Sequence, residues 1–517
     1  MYQTALLLLS GPIRIVIESI GKYLSWTNKK VAHRLYVKLE PELCKPFSKS
    51  DTIGLSRLSA AIPVLYNKAS SLCKNVDVRV LLGGNEHSKF ITNKEFSFDA
   101  IITNYDGSKD ISSYVEQNFG YCCNNIIKLD DKSTPREELE SNFYEFKTYK
   151  TVCLGGTFDR LHNGHKVLLS EAVLKASEAL IVGVSVGDTL KKKILWELIE
   201  PIEKRIEVVT DFLCEIDPSL RYEVVPITDI YGPTITNPDI DCLVVTTETK
   251  IGGEKVNNER KKKGMSETQL HVINVIEDKN HSPDEEEKLS SSTKRMHLLG
   301  SPLKMSKPSF KHDQPYCILF QGYPLFGKTF IASRFQASGI PVLCCDEILN
   351  AILKKDSNLK EEILKEFPNE CCCDDGTIDY EKLLLLCLRN KKKKDWLEEL
   401  VLNKVKSALQ QVFEIYSKEG VQTILIKDSS LFEGYNFGIE IGETWAAILP
   451  IPECTKLIKE HYKFTEEETV ELINALPSNE QYVAAANIIF CNKWSLDTIQ
   501  DQVNRAYSYL KSTQIST

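Results

Sequence analysis

The segment Leu154-Gly-Gly-Thr-Phe-Asp-Arg-Leu-His-Asn-Gly-His165 decides the fold of the middle of the chain. It follows the apolar residues 151–154, which predict a short buried strand, and a helix is expected to begin at about Gly164. Further downstream, apolar runs alternate with a helical pattern. They predict strands over 179–185, 222–225 and 242–245 and a helix over 206–216. Because strands that alternate with helices favour a parallel sheet, we predict the α/β fold class.

Two glycines and two histidines in this segment indicate phosphate chemistry. Gly155 and Gly156 leave out side chains where backbone N–H groups would approach a phosphate. His162 and His165 fall at the start of the helix, where the positive end of the helix dipole also faces the ligand. A lone histidine there is more often a cap, and a lone pair of glycines is more often a turn. Together, directly after a strand, they predict a cradle for a polyphosphate whose charge grows during reaction.

Composition bounds the rest of the chain. Its 517 residues suggest three or four domains. Lys+Arg 64 against Asp+Glu 72, a formal net charge of −8, argues against nucleic acid as a partner. The 16 cysteines occur partly as neighbours, as in Cys371-Cys372-Cys373, and none has zinc-type C-x-x-C spacing. We therefore expect reduced thiols in an intracellular compartment, and no structural metal.

The N-terminal part carries no catalytic motif. Residues 1–39 contain six bases and one acid, and apolar residues recur at helical spacing after Pro12. For residues 1–29 this pattern predicts either a targeting or membrane-surface helix, or an ordinary helix that packs on its own domain. The expected location of the protein is the cytoplasm or the mitochondrion, in the latter either the matrix or the outer membrane. Residues 30–146 are expected to fold as an α/β accessory domain of unknown role.

The middle domain is predicted to span 147–275, and two segments follow it. Residues 276–315 are polar and rich in Ser and Pro, which predicts a linker. The third domain, 316–517, opens with a strand at 317–320 and then the P-loop pattern Gly322-Tyr-Pro-Leu-Phe-Gly-Lys-Thr329.

The P-loop predicts a nucleotide site in the third domain. Gly322 and Gly327 would let backbone N–H groups cradle phosphates, and Lys328 would reach the β- and γ-phosphates. Thr329 would bind Mg²⁺ carried by ATP.

Around His162 and His165 the chain resembles the nucleotidyltransferase superfamily, whose signature is (T/H)-x-G-H. More closely, it resembles phosphopantetheine adenylyltransferase in the form found in eukaryotic bifunctional coenzyme A synthases. Agreement extends to residues 190–198, 231–233 and 244–253. The resemblance implies a Rossmann-like domain that uses ATP and 4′-phosphopantetheine to form dephospho-CoA and pyrophosphate.

The same resemblance implies roles for individual residues. Thr157 would position the phosphate of phosphopantetheine, and the two histidines would hold the β- and γ-phosphates of ATP. Lys193 would bridge the attacking and leaving oxygens, although its place in a run of three lysines is also typical of a solvated surface. Asn257 and Arg260 would contact ribose or phosphate.

The chain departs from the family pattern at one position expected to bind phosphate. The family often has an arginine soon after the Glu-Thr of its later motif, and here that place is taken by Ile251. Lys250 is adjacent, but a lysine does not reproduce the two-pronged donor geometry of arginine.

The third domain resembles dephospho-CoA kinase, which phosphorylates the ribose 3′-hydroxyl of dephospho-CoA. That family has two acidic residues at the end of a strand, and the first of them acts as general base. Here Cys344 stands at the first position, and only the second acid, Asp346, is present. Asp346 would contact Mg²⁺ or substrate, or cap the helix over 347–354. Tyr380 stands where the family has an arginine. Residues 456–472, where the family's lid is expected to supply arginines, contain no arginine. Because a thiol is a poor base and arginines stabilise the transferred phosphoryl group, we expect a slow or inactive kinase that still binds ATP.

The sequence thus predicts an enzyme of coenzyme A biosynthesis with an α/β accessory region, a nucleotidyltransferase domain and a P-loop kinase-like domain. Two alternatives stay open. One is a cytidylyltransferase-type activity on another substrate, and the other is a regulatory or scaffold protein with an inactive kinase-like domain.

Overall fold

The computed structural model describes residues 1–40, 51–83, 97–107, 110–121, 123, 125–129, 146–304, 314–323, 325–367, 370–373, 376–429, 431 and 437–515. They form two compact units, Met1–Thr293 and Lys294–Thr517. The first unit contains two parallel sheets and the second contains one, which confirms the predicted α/β class.

The first sheet is built around an apolar strand at the N-terminus. Its elements are β1 (Tyr2–Ser10), α1 (Ile13–Asn28), β2 (Val31–Glu40), α2 (Thr52–Leu72), β3 (Asp77–Leu81), β4 (Ala100–Thr103), α3 (Ile111–Phe119) and β5 (Ile126–Lys128). The strands are parallel and lie in the order β3-β2-β1-β4-β5. Residues 5–9 of β1 are fully buried, because the central strand of a parallel sheet is covered on both faces.

Helix α1 packs on its own domain. Its apolar stripe is buried in the core, at Ile13, Val16, Ile20, Tyr23 and Leu24. The expected membrane-surface helix over 1–29 is therefore corrected, since β1 is the centre of the sheet and the apolar face of α1 is covered. Within the described ranges, no helix combines the length and the apolar character needed to cross a bilayer.

The second sheet repeats the strand order of the first. Its elements are β6 (Tyr149–Gly156), α4 (Asn163–Lys175), β7 (Ala176–Ser185), α5 (Ile202–Ile216), β8 (Arg221–Ile227), β9 (Cys242–Thr246), α6 (Lys250–Lys262) and β10 (Gln269–Ile273). The order is β10-β9-β6-β7-β8, again all parallel. Counted from the first strand of each sheet, both have the order 3-2-1-4-5 of a doubly wound fold.

A buried ionic network joins the first sheet to helices α4 and α5. Lys166 of α4 donates to Asp77, which also accepts from Arg79 Nε at 2.9 Å. Arg79 Nη1 in turn donates to Glu215 of α5 at 2.6 Å. Burial alone would raise the pKa of Asp77, but Lys166 and Arg79 outweigh it and hold that pKa well below its usual range. Because Lys166 directly follows His165, this network fixes the helix that carries the signature histidines.

The predicted linker over 276–315 contains folded structure. Helix α7 (Ser291–Leu298) lies within it, and Ile276 is buried. Ser291 Oγ donates to the carbonyl oxygen of Asp159 at 2.8 Å, so this segment packs on the signature loop. Its Ser-rich composition is typical of a linker, but here a serine hydroxyl satisfies a backbone acceptor. Residues 305–313 lie outside the described residues.

The third sheet has a different order. Its elements are β11 (Tyr316–Gly322), α8 (Lys328–Ala337), β12 (Val342–Cys344), α9 (Cys345–Lys355), α10 (Ser357–Glu366), α11 (Tyr380–Arg389), α12 (Lys391–Lys418), β13 (Thr423–Lys427), β14 (Ile441–Ile448), α13 (Ile451–Tyr462), α14 (Glu466–Ala475), α15 (Asn479–Ala485), β15 (Ile488–Cys491) and α16 (Leu496–Ile515). The strands are parallel in the order β12-β13-β11-β14-β15. The P-loop connects β11, the central strand, to α8.

The network between the first sheet and α4 predicts a large stability effect. Asp77→Asn removes the partner of two almost buried cations, so we expect the first unit to lose about 3 kcal/mol of unfolding free energy. Urea unfolding followed by circular dichroism measures the loss. The matched control is Glu207→Gln, which breaks the exposed Lys204–Glu207 pair and should leave the unfolding free energy nearly unchanged. Equal losses in the two variants would contradict the stabilising role of the network.

Candidate active site

The crevice of the second sheet opens where the ladder between β6 and β9 ends. Strand β6 pairs with β7 as far as Gly156, but it pairs with β9 only at Val152 and Cys153. The strand order reverses between β6 and β9, and ligands of doubly wound sheets bind at this point, outside the carboxyl ends of the strands. Gly155 and Gly156 are the last residues of β6, so the strand extends two residues beyond the predicted 151–154 and includes the glycines expected in the turn.

The equivalent point of the first sheet is closed. Ser10, at the end of β1, donates its N–H to Asn104 Oδ1 at 2.8 Å. The Nδ2 of Asn104 donates back to the carbonyl oxygen of Ser10 at 2.9 Å. The two sheets share an order, and among the described residues this point is bridged by side-chain hydrogen bonds in the first sheet.

The loop after Gly156 has an unusual backbone. Phe158 and Arg160 both have positive φ, 49° and 47°, a conformation that costs non-glycine residues energy and is concentrated at functional sites. Asp159 lies between them, fully buried, and accepts from the backbone N–H of Glu200 at 3.0 Å. A Cβ on Gly156 would come to 3.0 Å from the Phe158 ring, closer than ordinary contact, so the ring would have to shift to accept one. The sequence analysis did not predict this strained loop.

A buried arginine holds the backbone of this loop from inside the domain. Arg205 of α5 donates to the carbonyl oxygens of Thr157, Ser185 and Glu200 at 2.8–2.9 Å. It therefore holds the backbone of Thr157 in place. Sequence reasoning missed Arg205, although a single arginine on the apolar face of the α5 pattern was a usable signal.

The two signature histidines lie together at the start of α4. His162 is the N-cap residue, and its ring stacks on that of His165 with centroids 3.9 Å apart. His165 also lies against Phe158, at 5.3 Å between ring centroids. Among the described residues, the buried Nδ1 of His165 has no hydrogen-bond partner.

His165 is held in its neutral form. Burial and the nearby Lys193 charge lower its pKa to about 4, although Asp159 offsets part of this effect. At neutral pH the ring therefore has one N–H donor and one acceptor nitrogen. A ligand that adds negative charge would raise this pKa and favour protonation.

The structure brings Lys193 to the same site. Its side chain is exposed in the loop after β7, and its charge acts on His165. Lys191 instead pairs with Asp188 at 2.7 Å. Within the lysine run, Lys193 is thus the residue whose charge acts on His165.

Two predicted contacts to ribose or phosphate are corrected. Arg260 is fully buried, and its guanidinium donates to five backbone carbonyl oxygens, those of Thr234, Asn237, Pro238, Ile240 and Ser266. The side chain of Asn257 bonds to Thr268 through both its amide nitrogen and its oxygen, at 2.8–2.9 Å. Both side chains are used to fold α6 against its neighbours. Ile251 is 67% exposed, and Lys250 lies 3.9 Å from Glu254.

The P-loop of the third domain has the predicted backbone. Gly322 and Gly327 have positive φ, 141° and 79°. A Cβ on either glycine would come within 2.5 Å of a neighbour, Ala447 O or Asn492 Nδ2. Lys328 is buried and donates to the carbonyl oxygen of Gly322. Pro324 lies outside the described residues.

The predicted magnesium position beside Thr329 does not fit a divalent cation. The Lys427 ammonium donates to Thr329 Oγ1 at 2.9 Å and lies 3.7 Å from Asp346 Oδ2. Mg²⁺ needs oxygen ligands at about 2.1 Å, and a lysine ammonium among those oxygens repels it. Sequence reasoning missed Lys427, the only charged residue of the otherwise apolar strand β13.

The remaining kinase-like residues form one cluster with Lys427. Cys344, and not Asp346, is the N-cap residue of α9, so the capping role considered for Asp346 is corrected. Asp346 Oδ1 accepts from the Tyr380 hydroxyl at 2.6 Å. Burial raises the pKa of the Cys344 thiol, which makes it a poor general base at neutral pH.

Among the described residues, no group of three or more His, Cys, Asp or Glu side chains is placed to hold a metal ion. The cysteines that the structure describes are free thiols.

Comparison with known families supports both nucleotide sites. The cytidylyltransferase-like family model matches residues 153–298, and the dephospho-CoA kinase family model matches residues 320–498. The phosphopantetheine adenylyltransferase of Saccharomyces cerevisiae is 43% identical over 140 residues, which are 27% of this chain and 46% of the yeast protein.

Two other relatives cover more of their own length. The phosphopantetheine adenylyltransferase of Pyrococcus abyssi is 35% identical over 159 residues, 30% of this chain and 97% of the archaeal protein. An uncharacterized protein of Schizosaccharomyces pombe is 34% identical over 251 residues, 48% of this chain and 74% of that protein.

The environment of His165 predicts an unusual titration. In the folded chain, its NMR resonances should titrate with a midpoint near 4, because burial and Lys193 oppose protonation. The same histidine in the urea-unfolded chain should titrate near 6.5, its unperturbed value. Stability from the neutral ring is then complete above about 6.5 and declines as the pH falls towards 4. The His165→Gln spectrum assigns the resonance, and a midpoint above 6 in the folded chain would contradict the described environment.

Proposed function

The chain belongs to the phosphopantetheine adenylyltransferase family, and we propose that its second domain transfers an adenylyl group from ATP to 4′-phosphopantetheine. The observation that carries this proposal is the pair of stacked histidines at the start of α4, beside Lys193 and the glycine end of β6. The products are dephospho-CoA and pyrophosphate, and the protein acts in coenzyme A biosynthesis.

The proposed reaction is a single in-line displacement. An oxygen of the phosphopantetheine phosphate attacks the α-phosphorus of ATP, and the bond from that phosphorus to the oxygen bridging the α- and β-phosphates breaks. Its electrons leave with pyrophosphate. No residue of the chain becomes covalently attached, so catalysis consists of positioning and charge stabilisation.

Different residues of the crevice supply the positioning and the charge stabilisation. Thr157, whose backbone Arg205 fixes, positions the phosphopantetheine phosphate. His162 and His165 donate to the β- and γ-phosphates, and the charge that develops on pyrophosphate favours protonation of His165. Lys193 bridges the attacking and leaving oxygens from the rim.

Mg²⁺ enters this proposal as part of the ATP complex, where it neutralises phosphate charge. The side chains of the crevice are imidazole, ammonium and hydroxyl groups, which suit phosphate oxygens better than a metal cage. We place the activity in the cytoplasm or the mitochondrion, as the expected reduced cysteines suggest.

For the third domain we propose a dephospho-CoA kinase-like nucleotide site with slow or no phosphoryl transfer. Cys344 replaces the expected base, and Lys427 occupies the expected metal position. The alternative of a cytidylyltransferase acting on another substrate is less well supported, because the named relatives are phosphopantetheine adenylyltransferases.

Replacing His165 tests the adenylyltransferase site. His165→Ala should lower kcat for dephospho-CoA formation about 10²–10³-fold, because it removes a donor to the developing charge. Product formation from ATP, Mg²⁺ and 4′-phosphopantetheine is followed by mass spectrometry. The control is His281→Ala at an exposed position, which should retain full turnover. Near-normal turnover by folded His165→Ala would reject the site assignment.

The products of the wild-type chain test both domains at once. Dephospho-CoA should accumulate, with little or no CoA, because Cys344 stands where the base is expected and Lys427 lies where the metal is expected. The positive control is addition of an active dephospho-CoA kinase, which should convert the accumulated product to CoA. Rapid CoA formation by the chain alone would overturn the proposal for the third domain. Absence of dephospho-CoA would overturn the proposal for the second.

A further inference from the structure

In the third sheet, the carboxyl ends of three neighbouring strands lie at one edge. Strands β11, β12 and β13 are parallel neighbours, and their register places Lys427 beside Phe320 on one side and beside Cys344 on the other. The P-loop follows β11, and Asp346 follows β12. The carboxyl ends of parallel strands form the ligand-binding edge of such a sheet. Lys427, the last residue of β13, is therefore built into the floor of the P-loop site.

The Lys427 ammonium is held by groups that usually serve a metal. It donates to Thr329 Oγ1 at 2.9 Å and lies 3.7 Å from Asp346 Oδ2, and it also acts on the Cys344 thiol. The side chain of Lys427 is 9% exposed, so water does not screen its charge as it would at the surface.

The partners of Lys427 are themselves fixed. Asp346 uses its other oxygen, Oδ1, to accept from the Tyr380 hydroxyl at 2.6 Å. Thr329 is in the first turn of α8, next to the P-loop lysine. Rotation of Asp346 towards an incoming metal would break its bond to Tyr380 and leave the charge of Lys427 without its carboxylate.

We propose that Lys427 is a built-in cation that takes the place of the divalent metal, so that the third domain binds nucleoside polyphosphate without Mg²⁺. The charge of Lys427 adds to that of Lys328 and to the N–H groups of the P-loop, which together attract the phosphate chain. A lysine ammonium donates hydrogen bonds to phosphate oxygens but does not coordinate several of them at once as Mg²⁺ does, so the site retains nucleotide rather than consuming it. This inference rests on the nucleotide-binding role proposed for the P-loop.

Photolabelling of the full-length chain with 8-azido-ATP tests this inference. Tryptic peptides from residues 314–515 report the third domain, and peptides from residues 146–304 report the adenylyltransferase site separately. In the wild-type chain, half-saturation of third-domain labelling should agree within about twofold between excess Mg²⁺ and excess EDTA. A wild-type third domain that is labelled only with Mg²⁺, or not at all, would overturn the inference. Failure of the adenylyltransferase proposal would show instead in the second-domain peptides and in the product assay.

Substitution of Lys427 gives a second, independent readout. Lys427→Met should weaken third-domain labelling in EDTA roughly tenfold, because one buried positive charge is lost beside the phosphates. Added Mg²⁺ should recover part of that loss, since Thr329 and Asp346 become available to it. Lys365→Met, at an exposed position in α10, is the matched control and should change neither value. Unchanged EDTA labelling in folded Lys427→Met would overturn the role of Lys427, and the wild-type comparison stays decisive if that variant does not fold.

Discussion

The buried contact between Lys166 and Asp77 is the constraint on which the adenylyltransferase site depends. Lys166 follows His165 in α4, and its ammonium donates to Asp77 and to the carbonyl oxygen of Val78, both in the first sheet. Removing a charge from water is costly unless a partner is fixed, so α4 is stable in this position only while the first domain is folded against it. One hydrophobic cluster also runs from α1 and α2 into α4 and α5. The accessory region is thereby part of the structure that holds the histidines in place.

The first two sheets show how the same topology serves different purposes. Both have the doubly wound strand order, and in both the order reverses beside the central strand. In the second sheet, two glycines and a strained loop keep the crevice open, and Arg205 stabilises that loop from within the domain. In the first sheet, Ser10 and Asn104 close the corresponding point with two hydrogen bonds. The first domain thus supports α4 through its buried contacts.

Sequence patterns predicted local structure and motifs better than they predicted which side chains pack inside the domain. The strand before Gly155, the helix after His162 and the P-loop at Gly322 follow from glycine placement and apolar periodicity, which act over a few residues. Arg205, Arg260 and Asn257 could not be assigned this way, because a polar side chain on a helix looks the same whether it meets ligand or a backbone carbonyl. The position of residues 1–29 was equally open, since the apolar stripe of α1 suits a membrane and a protein core alike. Only the burial of β1 and α1 in the fold distinguishes the two.

The changes in the kinase-like site are physically linked. Cys344, Lys427, Asp346 and Tyr380 contact one another at the carboxyl ends of β12 and β13, and their charges balance within that cluster. An acid restored at position 344 would meet the Lys427 ammonium first and would pair with it, because that cation is already present and only slightly exposed. The Lys427 ammonium would still repel a metal ion at this position. Recovering a kinase therefore requires removing the cation as well as replacing the base, which explains why one cysteine cannot account for the divergence of this domain.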